Sequence, residues 1–161
     1  QARQLSSPNL PLVGLYLTLL AYSLTNEESD QVASRLRLPK SLAQALRDTI
    51  NLKAKLPSLT NPDLSPSSIY HLLHGYSSLA ITANSLACDS PVAHHHIHLF
   101  LNKLRYIKPI LTGDDLKGMG IAPSPHIKEI LCLLHEARLN GEVKTKQGEA
   151  DLVKEWLAHN I

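Results

Sequence analysis

The 161-residue sequence predicts an all-α protein, a helical bundle over residues 1–108 followed by a smaller helical tail over residues 109–161. Three observations carry that expectation. Helix start and stop signals recur along the chain, whereas alternating strand-like runs are almost absent. Aromatic residues make up only 4% of the composition, so the core must come from Leu, Ile, Ala and Val, which favours helix packing over a sheet sandwich. Hydrophobic residues at 43% and charged residues at 19% give the balance of a folded chain rather than a disordered one.

The elements follow in order. "LPLVGLYLTLLAYSL" (residues 10–24) is the most apolar stretch; it is too short to span a bilayer and carries Pro11 near its start, which predicts a buried helix. No small-residue cleavage pattern follows, so a signal peptide is not expected, nor is a membrane partner. Thr25 with Glu28 three residues on is a capping box ahead of the amphipathic "SDQVASRLRL". Pro39 breaks that helix and stands just before "KSLAQALRDTINLKAKL", where Leu42, Leu46 and Ile50 share an inward face at i+4 spacing. "PSLTNPDLSPSS" reads as a loop. Ser65-Pro66 opens "SSIYHLLHGY", and Gly75 marks its end. "LAITANSLA" and "PVAHHHIHLFLNKLRYI" predict two further helices, the second starting near Pro91 and ended by Lys108-Pro109. The tail predicts helices near 113–118, 124–139 and 147–159, and no fixed-period repeat is visible.

Net charge is only +2, so the whole-chain field makes no case for nucleic acid. The distribution says more. Arg35, Arg37, Lys40, Arg47, Lys53 and Lys55 face the single acid Asp48 between residues 35 and 55, and Lys40, Gln44, Arg47, Asn51 and Lys55 form one helical stripe. Lys103, Arg105, Lys108, Lys117 and Lys128 form a second basic group against Asp114 and Asp115. Two readings fit, a polyanion held on one face or two solvated helix faces. Cys88 and Cys132 show neither CxxC spacing nor a framework, which predicts reduced thiols and a cytoplasmic setting. The chain opens with Gln1 rather than Met, as expected of a piece of a longer protein.

Three clusters compete as sites. His94 and His98 in "HHHIH" have the i, i+4 spacing of metal ligands, but no acid or cysteine nearby completes a shell, so no metal site is expected. Asp114-Asp115 suits Mg²⁺ or acid–base work, yet Thr112 followed three residues later by Asp115 is a helix cap, so no catalytic residue is expected there. No Ser-His-Asp pattern or Walker loop occurs elsewhere. "DLKGMGIAPSPHIKEIL" places a tight glycine turn before a helix opening with Pro123-Ser124-Pro125. Free backbone N–H groups at such a helix start, with Lys117 and Lys128 close by in sequence, can hold phosphate without reading bases. The pattern is loosely like a helix-hairpin-helix, and a compact helix–helix turn fits it equally.

The last third of the chain, "LRYIKPILTGDDLKGMGIAPSPHIKEILCLLHEARLNGEVKTKQGEADLVKEWL", resembles the C-terminal end of bacterial class II tRNA nucleotidyltransferases of the poly(A) polymerase family. The resemblance lies in Arg105, in Lys108-Pro109, in the L-T-G-x-D-L run from Leu111 to Leu116, and in the Gly120–Pro125 turn. It continues through Ile127–Leu131 and the A-R-L-x-G run from Ala137 to Gly141. A weaker likeness to that family's helical body covers "LRLPKSLAQALRDTINLKAKLP" and "LSPSSIYHLLHGYS".

That resemblance implies a helical region that holds tRNA, or another structured RNA, so that its 3′ end reaches a catalytic head. The head, an N-terminal β-containing domain with a Gly-Ser and an Asp-x-Asp motif, would bind Mg²⁺ and ATP or CTP. This chain contains neither motif, so nucleotidyl transfer and those cofactors are expected only in the N-terminal catalytic domain of a parent chain. Duplex RNA offers shape and phosphates, which suits basic helix faces. The residues expected to contact phosphate are Lys40, Arg47, Lys55, Arg105, Lys108, Lys117, Ser124 and Lys128. Ser124 stands where the family has glycine, and His94 to His96 where it has Arg or Glu, implying an RNA contact strengthened by acidification. A helix-hairpin-helix DNA-binding module and a non-binding docking or dimerisation scaffold remain the alternatives.

Overall fold

The computed structural model describes residues 12–121 and 125–160. It is all-α, and no strand occurs among the described residues. The described residues fall into two compact units, one reaching Leu64 and resuming from Ser68 to Asn102, the other formed by Ser65–Ser67 and the chain from Lys103 onward. No helix among the described residues is long and apolar enough to cross a membrane.

The first unit contains α1 (Leu12–Ala21), α2 (Asn26–Arg35), α3 (Lys40–Lys53), the single turn α4 (Leu56–Leu59), α5 (Pro66–Leu73) from Ser68 on, α6 (Ser78–Ala87) and α7 (Pro91–Asn102). The centre is α6, whose residues Ala80 to Ser85 are all buried, and α1, α3 and α7 pack around it. Small side chains allow that close packing. A Cβ at Gly14 of α1 would lie 3.0 Å from Leu79 Cδ1, so glycine lets the two helices approach. Several polar groups inside are paired, although Asn84 Oδ1 and Ser29 Oγ are buried without a hydrogen-bond partner among the described residues. Asn84 donates to the Thr49 and Ala80 carbonyls, and Asp48 accepts from Gln44 and from the Ser77 N–H. Such pairing offsets the few kcal/mol that an unsatisfied buried amide costs.

The local signals set the helix ends. Thr25 and Glu28 form the reciprocal cap of α2. Two hydrogen bonds close the other end of α2, Arg37 N–H to Ser34 O and Leu38 N–H to Ala33 O, with Arg37 at φ +48° in the left-handed position that glycine usually fills. Gly75, at φ +94°, follows α5.

Two expectations need correction. The first helix is one-sided rather than buried: Gly14, Leu15, Thr18 and Ala21 face the core, while Leu12, Val13, Tyr16 and Leu20 are exposed among the described residues, because α3 and α6 pack on the opposite side. And α7 ends at Asn102, well before Lys108-Pro109, with a 3₁₀ turn at Leu104–Tyr106 between. Pro11 lies outside the described residues.

The second unit holds α8 (Gly113–Gly118), α9 (Pro125–Leu139) and α10 (Lys146–Asn160). Its core is Leu111, Leu116, Ile121, Ile130, Leu134 and Val153, with Met119, Ile127, Leu131, Ala150, Leu152, Trp156 and Leu157 packed around. Burial of each large aliphatic contributes about 2 kcal/mol, so this small core is enough to seat three helices.

Candidate nucleic-acid interface

The glycine-rich turn is built from its two ends. At its start Thr112 caps α8: its hydroxyl accepts from the Asp115 N–H at 3.3 Å, and Asp115 Oδ2 accepts from the Thr112 N–H at 2.8 Å. The Thr112 hydroxyl, 2.6 Å from Oδ2, donates to the same oxygen, and Lys146 Nζ on α10 lies 2.9 Å from Oδ1. The Thr112 hydroxyl, then Lys146, then the Thr112 amide hold the Asp115 carboxyl well below the usual carboxylate range. Asp114 turns outward to Lys117 at 2.8 Å. The two adjacent carboxylates therefore serve different cations. Among the described residues no group of three or more His, Cys, Asp or Glu side chains is arranged to hold a metal ion.

At the far end of α8, Gly120 N–H donates to Lys117 O at 2.9 Å and Ile121 N–H to Leu116 O at 3.2 Å, a Schellman closure. Gly120 sits at φ +91°, a backbone conformation that favours glycine. Leu116 and Ile121, the two residues this closure joins, are both in the core. Gly113 lies against the first turn of α9, since a Cβ there would meet Ile127 Cγ2 at 3.7 Å. The same closure ends α9, with Gly141 at φ +77° and Glu142 N–H on Ala137 O.

A buried clamp holds the segment leading into the turn. Glu149 on α10 is fully buried; its carboxylate accepts from the Ile110 N–H at 3.0 Å and the Leu111 N–H at 2.7 Å. Arg138 Nη1 completes it, 3.1 Å from Oε1. His135 Nε2 lies 2.9 Å from the Ile107 carbonyl oxygen, fixing the chain one turn earlier. The A-R-L-x-G run is thus explained residue by residue: Ala137 and Leu139 are buried, Arg138 pairs with Glu149, and Gly141 turns the chain. Sequence reasoning does not find Glu149, although its position at i−4 from the buried Val153 places an acid on an apolar helix face.

The expected phosphate-binding residues divide between the units. In the second, Lys108 and Lys128 are exposed and make no ion pair among the described residues. Lys117 is exposed but paired with Asp114, and Arg105 lies over the Tyr106 ring at 4.7 Å and donates to its hydroxyl. Ser124 lies outside the described residues. In the first unit Lys40 is exposed at the start of α3. Arg47 Nε is 2.6 Å from Asp30 of α2, a bond that raises the guanidinium pKa further, and Asn51 accepts from Asn26 of α2 at 3.3 Å. Lys55 lies over the Tyr76 ring at 5.0 Å. The stripe on α3 is therefore partly a seam against α2 and not a bare cationic face. Of the histidines, His96 is buried with Nδ1 2.9 Å from Leu59 O, whereas His95 and His98 are exposed. His96 is a core residue.

The chain is similar to the A-adding tRNA nucleotidyltransferase of Geobacter sulfurreducens, 37% identical over 87 residues, which is 54% of this chain and 10% of that protein. It is similar to the A-adding tRNA nucleotidyltransferase of Halalkalibacterium halodurans, 39% identical over 64 residues, 39% of this chain and 15% of that protein. It is also similar to the CCA-adding enzyme of a Geobacillus species, 26% identical over 148 residues, 87% of this chain and 35% of that protein. The matches thus span between 10% and 35% of the length of these relatives. No family model and no solved structure matches the chain. It is a helical protein related in sequence to tRNA nucleotidyltransferases.

Proposed function

We propose that this chain is the RNA-holding, C-terminal helical region of a tRNA nucleotidyltransferase, positioning the 3′ end of tRNA for a catalytic domain carried elsewhere in the same protein. The observation that carries the proposal is the pair of exposed lysines, Lys108 and Lys128, without an ion pair among the described residues, at either side of the capped and clamped turn 110–121. The likeness to A-adding and CCA-adding enzymes supplies the substrate class. Phosphates need donors held at fixed spacing and no reading of bases, and a turn tied down by Glu149, Asp115 and Gly120 provides that rigidity. Lys40 and Lys55 in the first unit add further phosphate contacts, whereas Arg47 and Lys117 must first leave their carboxylates. Mg²⁺ and ATP or CTP belong to the catalytic domain in this proposal, since the chain lacks Gly-Ser and Asp-x-Asp. It operates in the cytoplasm.

The test is a salt titration of tRNA binding by the purified chain, with duplex DNA as competitor. The expected result is salt-sensitive binding that prefers tRNA, with no labelled nucleotide added from ATP or CTP. Equal affinity for DNA would favour the helix-hairpin-helix alternative, and no binding at low salt would favour a scaffold.

A further inference from the structure

The second unit carries a cleft that the phosphate contacts proposed above leave unused. It is open to solvent on one side and has a volume of about 620 Å³. Leu111, Met119 and Ala150 give it an apolar floor, and Asp115, Lys146, Gln147 and Lys154 are its polar lining, with the Gln147 amide nitrogen held by Asp151 at 3.0 Å. Lys146, Ala150 and Lys154 succeed one another at i, i+4 and i+8 on α10, so two ammonium groups rooted about 12 Å apart bracket the smallest side chain on that face. A flat apolar group can settle over Ala150 and Met119 with an anion on either side. The Met119 thioether suits an aromatic face.

The Asp115 carboxylate adds a selective element. Its Oδ2 is filled by the Thr112 N–H and hydroxyl, while Oδ1 accepts only from Lys146 among the described residues. A carboxylate oxygen accepts two hydrogen bonds, so one acceptor position remains at the cleft edge. An exocyclic amine, as on cytosine or adenine, satisfies it, and the carbonyl of uracil does not. Without RNA the lysines pair with carboxylates, Lys146 with Asp115 at 2.9 Å and Lys154 with Asp151 at 3.2 Å. These are exposed pairs of small net strength, so phosphate can replace them.

We infer that this cleft takes one unstacked, amino-bearing base of the bound RNA, with the adjoining phosphates on Lys146 and Lys154. The inference rests on the RNA-holding reading and assigns that RNA a point where a base, not only the backbone, is recognised.

Met119 is the single methionine of the chain, so a ¹³C-labelled ε-methyl gives one NMR signal at the cleft floor. The probes are CMP, UMP, inorganic phosphate and tRNA. CMP should move the methyl upfield, as stacking beneath a ring requires; UMP should do so several-fold more weakly, and phosphate not at all. Saturating tRNA should give the same upfield shift. Lys146→Gln with Lys154→Gln should weaken the CMP response several-fold, and Asp115→Asn should erase the CMP preference. A methyl unmoved by CMP and by tRNA, in a chain that still binds tRNA in a salt-sensitive way, would overturn the cleft assignment and leave the RNA-holding reading intact. A CMP response in a chain that does not bind tRNA would instead remove that reading, and the RNA occupant with it.

Discussion

Glu149, fully buried, pairs with the partly exposed Arg138, Nη1 to Oε1 at 3.1 Å, and the same carboxylate receives the backbone N–H groups of Ile110 and Leu111. One side chain therefore joins α9, α10 and the segment that leads into the glycine turn. Glu149→Gln keeps the shape but leaves an NH₂ group facing donors and removes the counter-charge of Arg138. The expected loss is about 3 kcal/mol, the usual scale for breaking a buried pair from one side. Urea unfolding of the two proteins measures it. A loss below about 1 kcal/mol would show that the carboxylate is not what holds the segment.

Asp115 gives a pH signature. Its folded pKa is depressed, first by the Thr112 hydroxyl and then by Lys146 and the Thr112 amide, so its ionised form stabilises the fold above the unfolded pKa of about 4. That contribution is lost as pH falls through the depressed folded value. Asp115→Asn lacks the titration, though Asn still caps a helix. Melting temperatures of wild type and variant should differ at pH 6 and converge as pH falls below about 4. A constant gap down to pH 2 would mean that Asp115 contributes no charge-dependent stability.

Two of the left-handed helix ends, Gly120 and Arg37, predict opposite signs. Gly120→Ala meets no neighbour within 4 Å, so its cost is backbone strain alone, about 1 kcal/mol, and Asn at that position should recover part of it. Arg37 already occupies a left-handed position without glycine, at φ +48°. Arg37→Gly relieves that strain and should stabilise by up to about 1 kcal/mol, less the extra freedom glycine gains when unfolded. Thermal denaturation of the three variants checks both signs.

What was legible in the sequence is what is local. The Thr25–Glu28 and Thr112–Asp115 caps, Gly75 and Gly120 each act within a few residues, and each stands where its own signal puts it. The contacts that decide the candidate site are not local. Glu149 reaches back 38 residues to Leu111, Lys146 reaches 31 to Asp115, and Asp30 meets Arg47 across 17. Spacing along one helix cannot show that Arg47 and Asn51 meet α2, so the basic stripe looks more cationic in sequence than it is in space. Exposure of the apolar face of α1 has the same origin, because hydrophobicity counts do not say how many helices will cover a side.

That difference between paired and unpaired cations gives the last prediction. Lys108 and Lys128 are exposed with no ion pair among the described residues, whereas Arg47 and Lys117 already hold Asp30 and Asp114. A phosphate contact releases counterions, so each one lost should lower the slope of log affinity against log salt by roughly one. Lys108→Ala and Lys128→Ala should each do so, about equally for different tRNA sequences, because phosphates carry no base identity. Arg47→Ala should lower the slope least of the four, since its guanidinium holds Asp30 at 2.6 Å, a shorter charge-assisted bond than that of Lys117. Lys117→Ala should fall between, as its partner Asp114 is exposed and the pair is readily exchanged. Fluorescence anisotropy of labelled tRNA between low and moderate salt measures all four. If Lys108→Ala with Lys128→Ala keeps the wild-type slope, the turn between residues 110 and 121 faces away from RNA and its assignment as a phosphate cradle fails.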